Sequence, residues 1–212
     1  MTPQQSVGIN IAEGHTLLLD PEHQGAVRCF QIEQGLLKVS LSTTNHQSIT
    51  LGFLQAGDQL PLEFQRRATM HLEAITPVQL SESNVDAPQP GQHSLNDWTV
   101  DLLLIRHLTT AEQRLTALLR LLAERIGYRQ KEWYVLPFQL THAQIAGLIG
   151  HTRVTVTQNF SILRRARLIE TCRGPTGDLR LAPRLVEQPA SDSGLQVGPE
   201  TWMVAGVRQP RP

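Results

Sequence analysis

Over much of the first eighty positions apolar and polar residues alternate with a period of two, as in Leu37-Lys38-Val39-Ser40-Leu41 and Ile49-Thr50-Leu51-Gly52-Phe53. That alternation turns one face of a strand into a core and the other outward. Candidate strands are Val7–Ile11, Thr16–Leu19, Ala26–Glu33, Leu36–Thr43, Ser48–Leu54, Ala68–Ala74 and Val78–Ser81. Gly14, Gly25, Gly35, Asn45 and Gly57 punctuate them. Strands at intervals of roughly 8–12 residues predict an antiparallel β-barrel or sandwich.

The period then changes. Residues 83–95, rich in Pro, Gly, Ser and Asn, read as a loop. Asn96 or Asp97 can cap a helix through Leu108 whose apolar residues Trp98, Val100, Leu102, Leu103, Leu104, Ile105 and Leu108 wrap almost every side. So apolar a helix needs burial on two sides, which suggests its own barrel and a second copy of the chain. Trp98, Leu102 and Ile105 are the candidate dimer residues. Thr110 with Gln113 has the form of a capping box. It opens a second helix that ends at Gly127 and carries a core stripe of Leu115, Leu118, Leu119, Leu122 and Ile126.

Residues 140–185 hold the most informative pattern. Thr141 and Gln144 form another capping box, and Ile145, Leu148 and Ile149 make the buried stripe of a short helix. Gly150 suits a sharp turn, and Thr152 caps a further helix with Val156, Phe160 and Leu163 facing inward, followed by Ile169. Two short helices joined through a glycine predict a helix-turn-helix. On the second helix Arg153, Val154, Thr157 and Gln158 are the candidate base readers. Arginine suits a guanine edge, valine a thymine methyl and glutamine an adenine. Thr141, His142, Thr152 and Thr155 lie near helix starts, where hydroxyls and amides suit phosphate oxygens, and Arg164, Arg165 and Arg173 are further phosphate candidates. Thr171–Arg173, a Gly174-Pro175-Thr176-Gly177 turn and Leu179–Ala182 predict a two-stranded wing.

Charge sharpens this picture. The chain is formally neutral, yet residues 1–108 carry five basic and eleven acidic side chains, and residues 109–212 fourteen and eight. An acidic first half and an arginine-rich second half point to two domains, the second facing an anionic partner such as double-stranded DNA. The two cysteines, Cys29 and Cys172, are too few for a disulfide framework or a cluster, and neither a cofactor nor a metal site is expected. A membrane helix needs about 18–20 apolar residues in a row, and no such run occurs. The segment MTPQQSVGIN lacks the regions of a signal peptide, so a cytoplasmic location is expected.

A small barrel, an apolar helix and a C-terminal winged helix, in that order, resemble the CRP/FNR superfamily of transcription regulators over roughly residues 8–185. The specific part is Ile145-Ala146 through Gly150-His151-Thr152-Arg153-Val154-Thr155-Val156-Thr157, then Leu163 and Leu168-Ile169. The run from Thr152 to Thr157, with Ile75-Thr76-Pro77-Val78, looks most like the cyanobacterial NtcA-like group. Glu33-Gln34-Gly35 and Ala56-Gly57-Asp58 stand where the family has turn glycines. The resemblance implies an α+β chain with an N-terminal antiparallel β-barrel of jelly-roll, cyclic-nucleotide-binding-like form, a connecting dimerisation helix and a C-terminal winged helix-turn-helix. The boundaries would be 1–93, 94–108 and 109–186, with a mobile tail over 187–212. It implies that Arg153 pairs with a guanine in each half-site and Val154 meets the neighbouring pair.

This sequence also departs from the family. Gln158 and Asn159 stand where the family carries an arginine and an aliphatic residue, which shifts or relaxes the recognised sequence there. The segment after Gly57-Asp58 is short, with Pro61 and Leu62 where cyclic-nucleotide members have a glycine and a glutamate, so dependence on a cyclic nucleotide is not expected. Arg66 and Arg67 are read as facing water. The connecting helix, about twelve residues or near 18 Å, is short for the family. The expected function is a homodimeric, sequence-specific DNA-binding regulator acting on a palindromic site, with RNA polymerase or another regulatory protein as a possible further partner. The alternatives are a cupin-like metal-dependent barrel enzyme with an interaction domain, for which the histidines are scattered and no His-x-His pair occurs, or a degenerate regulator working through a protein partner.

Overall fold

The computed structural model describes residues 8–19, 29–42, 48–62, 68–83, 95–171 and 178–187. The wing turn with Cys172 and Arg173, the Arg66-Arg67 pair and the tail beyond Glu187 lie outside these residues.

Eight strands build the N-terminal unit: β1 (Ile9–Ile11), β2 (Thr16–Leu19), β3 (Cys29–Gln34), β4 (Leu36–Ser42), β5 (Ser48–Gln55), β6 (Gln59–Pro61), β7 (Thr69–Ala74) and β8 (Val78–Ser83). They form two four-stranded antiparallel sheets with orders β1-β8-β3-β6 and β2-β7-β4-β5. That is the double-sheet arrangement of a jelly roll. Alternation decides what it encloses: Leu37 and Val39 of β4, Met70 and Leu72 of β7, Leu54 of β5 and Ile32 and Leu80 of the facing sheet are fully buried together. β6 is not anticipated from the sequence. It is a three-residue edge strand ending in Pro61, a residue that edges tolerate and interiors do not.

The outer face of β5 receives α1 (Leu95–His107). Gly52 makes this seat possible, because a Cβ there would stand 2.3 Å from Trp98 Cβ. Trp98 meets Phe53 edge to face at 5.4 Å between centroids. Behind it, the Arg125 guanidinium lies 4.6 Å over the indole and forms a largely buried ion pair with Asp101. Burial lowers the Arg125 pKa from its usual value, while Asp101, Asp97, Glu124 and Asp58 oppose that shift, in that order.

α2 (Ala111–Arg125) starts from Thr110 with both arms of the capping box formed. It sends Leu115, Leu118, Leu119 and Leu122 into a second core, shared with α1, Leu36 and Phe53 of the barrel, and apolar residues of the C-terminal unit such as Leu136, Ile145, Phe160 and Leu181. Next come β9 (Tyr128–Gln130), β10 (Trp133–Leu136), α3 (His142–Ile149), α4 (Arg153–Arg165), β11 (Ile169–Thr171), β12 (Leu179–Leu181) and α5 (Pro183–Val186). The β9–β10 hairpin is another addition to the sequence reading. Its turn at Lys131, with φ +56°, carries no Gly or Asn to announce it. It extends the wing pair into a sheet of order β11-β12-β10-β9.

One expectation is overturned here. Trp98, Leu102 and Ile105 are 1%, 4% and 0% exposed in the single chain, so they belong to its own core and do not form a surface for a second copy. The exposed apolar side chains of α1 are Val100 and Leu103, 43% and 56% exposed.

Candidate nucleic-acid interface

α3 and α4 meet through a turn fixed by local chemistry. Thr141 caps α3 with a complete capping box, Gly150 closes it in the left-handed region at φ +67°, and the Thr152 side chain accepts from the Thr155 amide at 3.2 Å to open α4. The two α3 cap features and the Thr152 cap are those the sequence announces. Val156, Phe160 and Leu163 turn one face of α4 into the core. The other face of its first two turns presents Arg153, Val154, Thr157 and Gln158, all exposed, with Val154 at 65%. A 65% exposed valine on a helix whose other face is packed is apolar surface left toward solvent.

The four candidate readers are not equivalent. The Thr157 hydroxyl donates to the Arg153 carbonyl at 2.9 Å and meets His142 Nδ1 at 2.8 Å. With its one proton on that carbonyl, the hydroxyl accepts from Nδ1–H and keeps one lone pair, so Thr157 offers a base its methyl and an acceptor but no donor. Arg153, Val154 and Gln158 stand beside it. Asn159 is turned back on its own helix, Nδ2 donating to the Thr155 carbonyl at 2.9 Å.

The phosphate candidates divide similarly. Thr141 and Thr152 are exposed at the two helix starts, and Thr155 shares a 2.9 Å hydroxyl contact with Thr152. Arg164 and Arg165 are exposed at the far end of α4, with Arg164 donating to Thr171 Oγ1 at 3.3 Å and leaning over Phe160. Arg173 lies outside the described residues. His142, the remaining phosphate candidate, is also tied to α4. Its half-buried ring packs on Phe160 at 4.7 Å between centroids, so it braces α3 against α4. Burial lowers its pKa, and the charges of Arg164 and then Arg153 lower it further.

Sequence reasoning missed the residues that hold this unit in place. Arg106 of α1 donates to the Leu148 carbonyl at 3.0 Å and to that of Gly147, and Arg114 of α2 donates to the Ile149 carbonyl at 3.2 Å. These are the end carbonyls of α3, which lack partners within the helix and favour a cation. Gln144 donates to Glu73 of β7 at 3.1 Å, a direct tie between helix-turn-helix and barrel. No local spacing links Arg106 with Leu148 or Glu73 with Gln144, so only the folded chain reveals them.

The architecture and the interface have counterparts among known proteins. The family profile described as the cyanobacterial CRP family N-terminal domain matches residues 9–94, and that of the Crp-like helix-turn-helix domain matches residues 113–191. Regulatory protein CysR of Synechococcus elongatus is 30% identical over 148 residues, 67% of this chain and 71% of that protein. Among solved structures, FixK2 of Bradyrhizobium japonicum superposes with a TM-score of 0.65 at 15% identity, covering 90% of this chain and 100% of that one. A CRP/FNR-family transcriptional regulator of Thermus thermophilus gives 0.60 at 22% identity, covering 86% and 99%. At such identities the structural likeness speaks for the fold.

Proposed function

Because the chain belongs to the CRP family of transcription regulators and carries its helix-turn-helix DNA-binding domain, we propose that the exposed face of α4 reads one half of a palindromic site while a second copy reads the other. Members of the family bind DNA and act as dimers, and they are regulators rather than enzymes, which disfavours a cupin-like barrel enzyme. The observation that carries the assignment is the pair of faces on α4: Val156, Phe160 and Leu163 buried, Arg153, Val154 and Gln158 exposed on the turns that follow the Thr152 cap. A helix so disposed enters the major groove by its N-terminal turns.

Arg153 donates bidentately to a guanine, Val154 and the Thr157 methyl meet thymine methyls, and Gln158 pairs with adenine in place of a second guanine contact. Thr141, Thr152, Thr155, Arg164 and Arg165 grip phosphates and set the register. The second copy packs on Val100 and Leu103 of α1. Cyclic nucleotide is no part of this reading: the buried Asp58 accepts from the Gln55 amide at 2.9 Å and so serves its own turn. We place the protein in the cytoplasm with the chromosome, where RNA polymerase or another regulatory protein is within reach. No helix among the described residues is long and apolar enough to cross a membrane.

Selection from random-sequence duplexes by the purified full chain tests the proposal. The expected product is an inverted repeat with half-site centres about 34 Å apart. Failure to enrich any sequence, or enrichment of single half-sites alone, overturns it.

A further inference from the structure

The last turn of α3 is gripped from α1 by one guanidinium. The amides of Gly150 and His151 both donate to the Ala146 carbonyl, which leaves the three carbonyls beyond it for side chains. Arg106 Nε donates to the Leu148 carbonyl at 3.0 Å and Nη2 to that of Gly147, so two neighbouring carbonyls share one planar fork. Arg114 adds a clip alongside: Nε donates to the Leu108 carbonyl at 2.7 Å and Nη1 to that of Ile149 at 3.2 Å, joining the end of α1 to the end of α3. Only Leu108, Thr109 and Thr110 separate α1 from α2. Apolar burial joins the elements around this junction without preferring a direction, whereas a fork bonded to two carbonyls fixes an angle as well as a distance.

Arg106 stands three residues beyond the exposed Leu103, less than one turn along α1. We propose that Arg106 is the positioning residue that sets the separation of the two half-sites: it fixes the helix-turn-helix to the helix on which two copies meet, so that each α4 is presented at one distance and one angle. This deepens the functional reading above and rests on it, since that reading places the second copy on Val100 and Leu103 and the DNA on α4. On a duplex of about 10–10.5 base pairs per turn, one added pair moves the second half-site by about 3.4 Å and turns it by about 35°. A dimer whose reading heads are fixed loses contacts at that mismatch. One whose heads swing follows it.

The test measures the affinity of the full chain for the inverted repeat recovered by selection, for the same repeat with one central base pair added or removed, and for a single half-site. The parent is expected to bind the altered spacings at least about tenfold more weakly than the selected one. In Arg106→Met, which keeps the stem and loses the donors, that ratio falls to about threefold or less, while affinity for the single half-site stays within about twofold of the parent because the side chains facing DNA are unchanged. Arg106→Lys keeps a cation at the end of α3 but no planar fork, so it retains the urea midpoint of the parent and still loses the discrimination. Spacing discrimination as sharp as that of the parent in either variant, a loss at the single half-site as large as that at the repeat, or a parent indifferent to spacing overturns the role of Arg106 alone. A parent that does not favour the inverted repeat over a single half-site overturns the functional reading, and this inference with it.

Discussion

Arg153 stands exposed at the first position of α4, one residue beyond its cap, on the helix end that the proposed function directs into the major groove. Replacing it with Ala is expected to cost ~1–3 kcal/mol of binding and relax discrimination at one base pair, whereas Arg165→Ala weakens all sequences alike. Competition between the selected duplex and its single-pair variants measures both, and a uniform loss at Arg153 would remove it from base reading. His142 makes a second prediction. Its pKa lies below the ordinary 6.5 because burial and the facing Arg164 and Arg153 disfavour the cation. The unfolded chain then binds the proton more readily. The stabilising contribution of neutral His142 is therefore complete above about pH 6.5 and is lost as pH falls from there toward its folded pKa. Urea unfolding between about pH 7.5 and about pH 5 should show this loss, and His142→Gln should flatten that part of the profile. An unchanged slope in the variant would rule the residue out.

At the scale of the element, α3 and α4 are fixed by caps and by arginines from outside the motif. Gly150 in its left-handed conformation is the pivot, and the atom nearest an added Cβ, Arg114 Nη1 at 3.6 Å, leaves ordinary room. Gly150→Ala should therefore lose stability through backbone strain alone, about 1–2 kcal/mol, read as a lower urea midpoint at unchanged slope. A midpoint equal to that of the parent would mean that the turn adopts another path. The caps at Thr110, Thr141 and Thr152 are legible in the sequence because each depends on residues at most three positions apart. β6 and the β9–β10 hairpin are not, because strands of three or four residues gain their identity from the strand alongside.

For the whole molecule, the proposed function has two copies meet on the exposed side of α1. Leu103→Glu should convert dimer to monomer by light scattering with the fold retained, since Leu103 is 56% exposed. Trp98→Ala should instead unfold the chain more readily, by about 3–5 kcal/mol, because it empties a site packed between Phe53, Gly52 and Arg125. A Leu103→Glu protein that stays dimeric would move the interface elsewhere. Leu36 and Phe53 place one side of the barrel in the core of the helix-turn-helix, Glu73 joins β7 to Gln144, and Arg106 and Arg114 tie α1 and α2 to the end of α3, so the barrel face is in packed contact with the DNA-binding unit.

The amino-acid sequence by itself determined the period-two strands of the barrel, the two capping boxes, the Gly150 turn and the polar and basic positions at the start of α4. All of these depend on alternation or on contacts within one turn, which the order of residues sets directly. Tertiary structure alone decided which apolar side of α1 is core and which is free. A helix with Trp98, Leu102 and Ile105 on one side and Val100 and Leu103 on another offers no local signal for which side the barrel covers. It also decided that the Thr157 hydroxyl and the His142 ring are held to each other and that the end of α3 is gripped by two distant arginines. Such pairings join residues far apart in the chain, and only the packed core brings them within bonding distance.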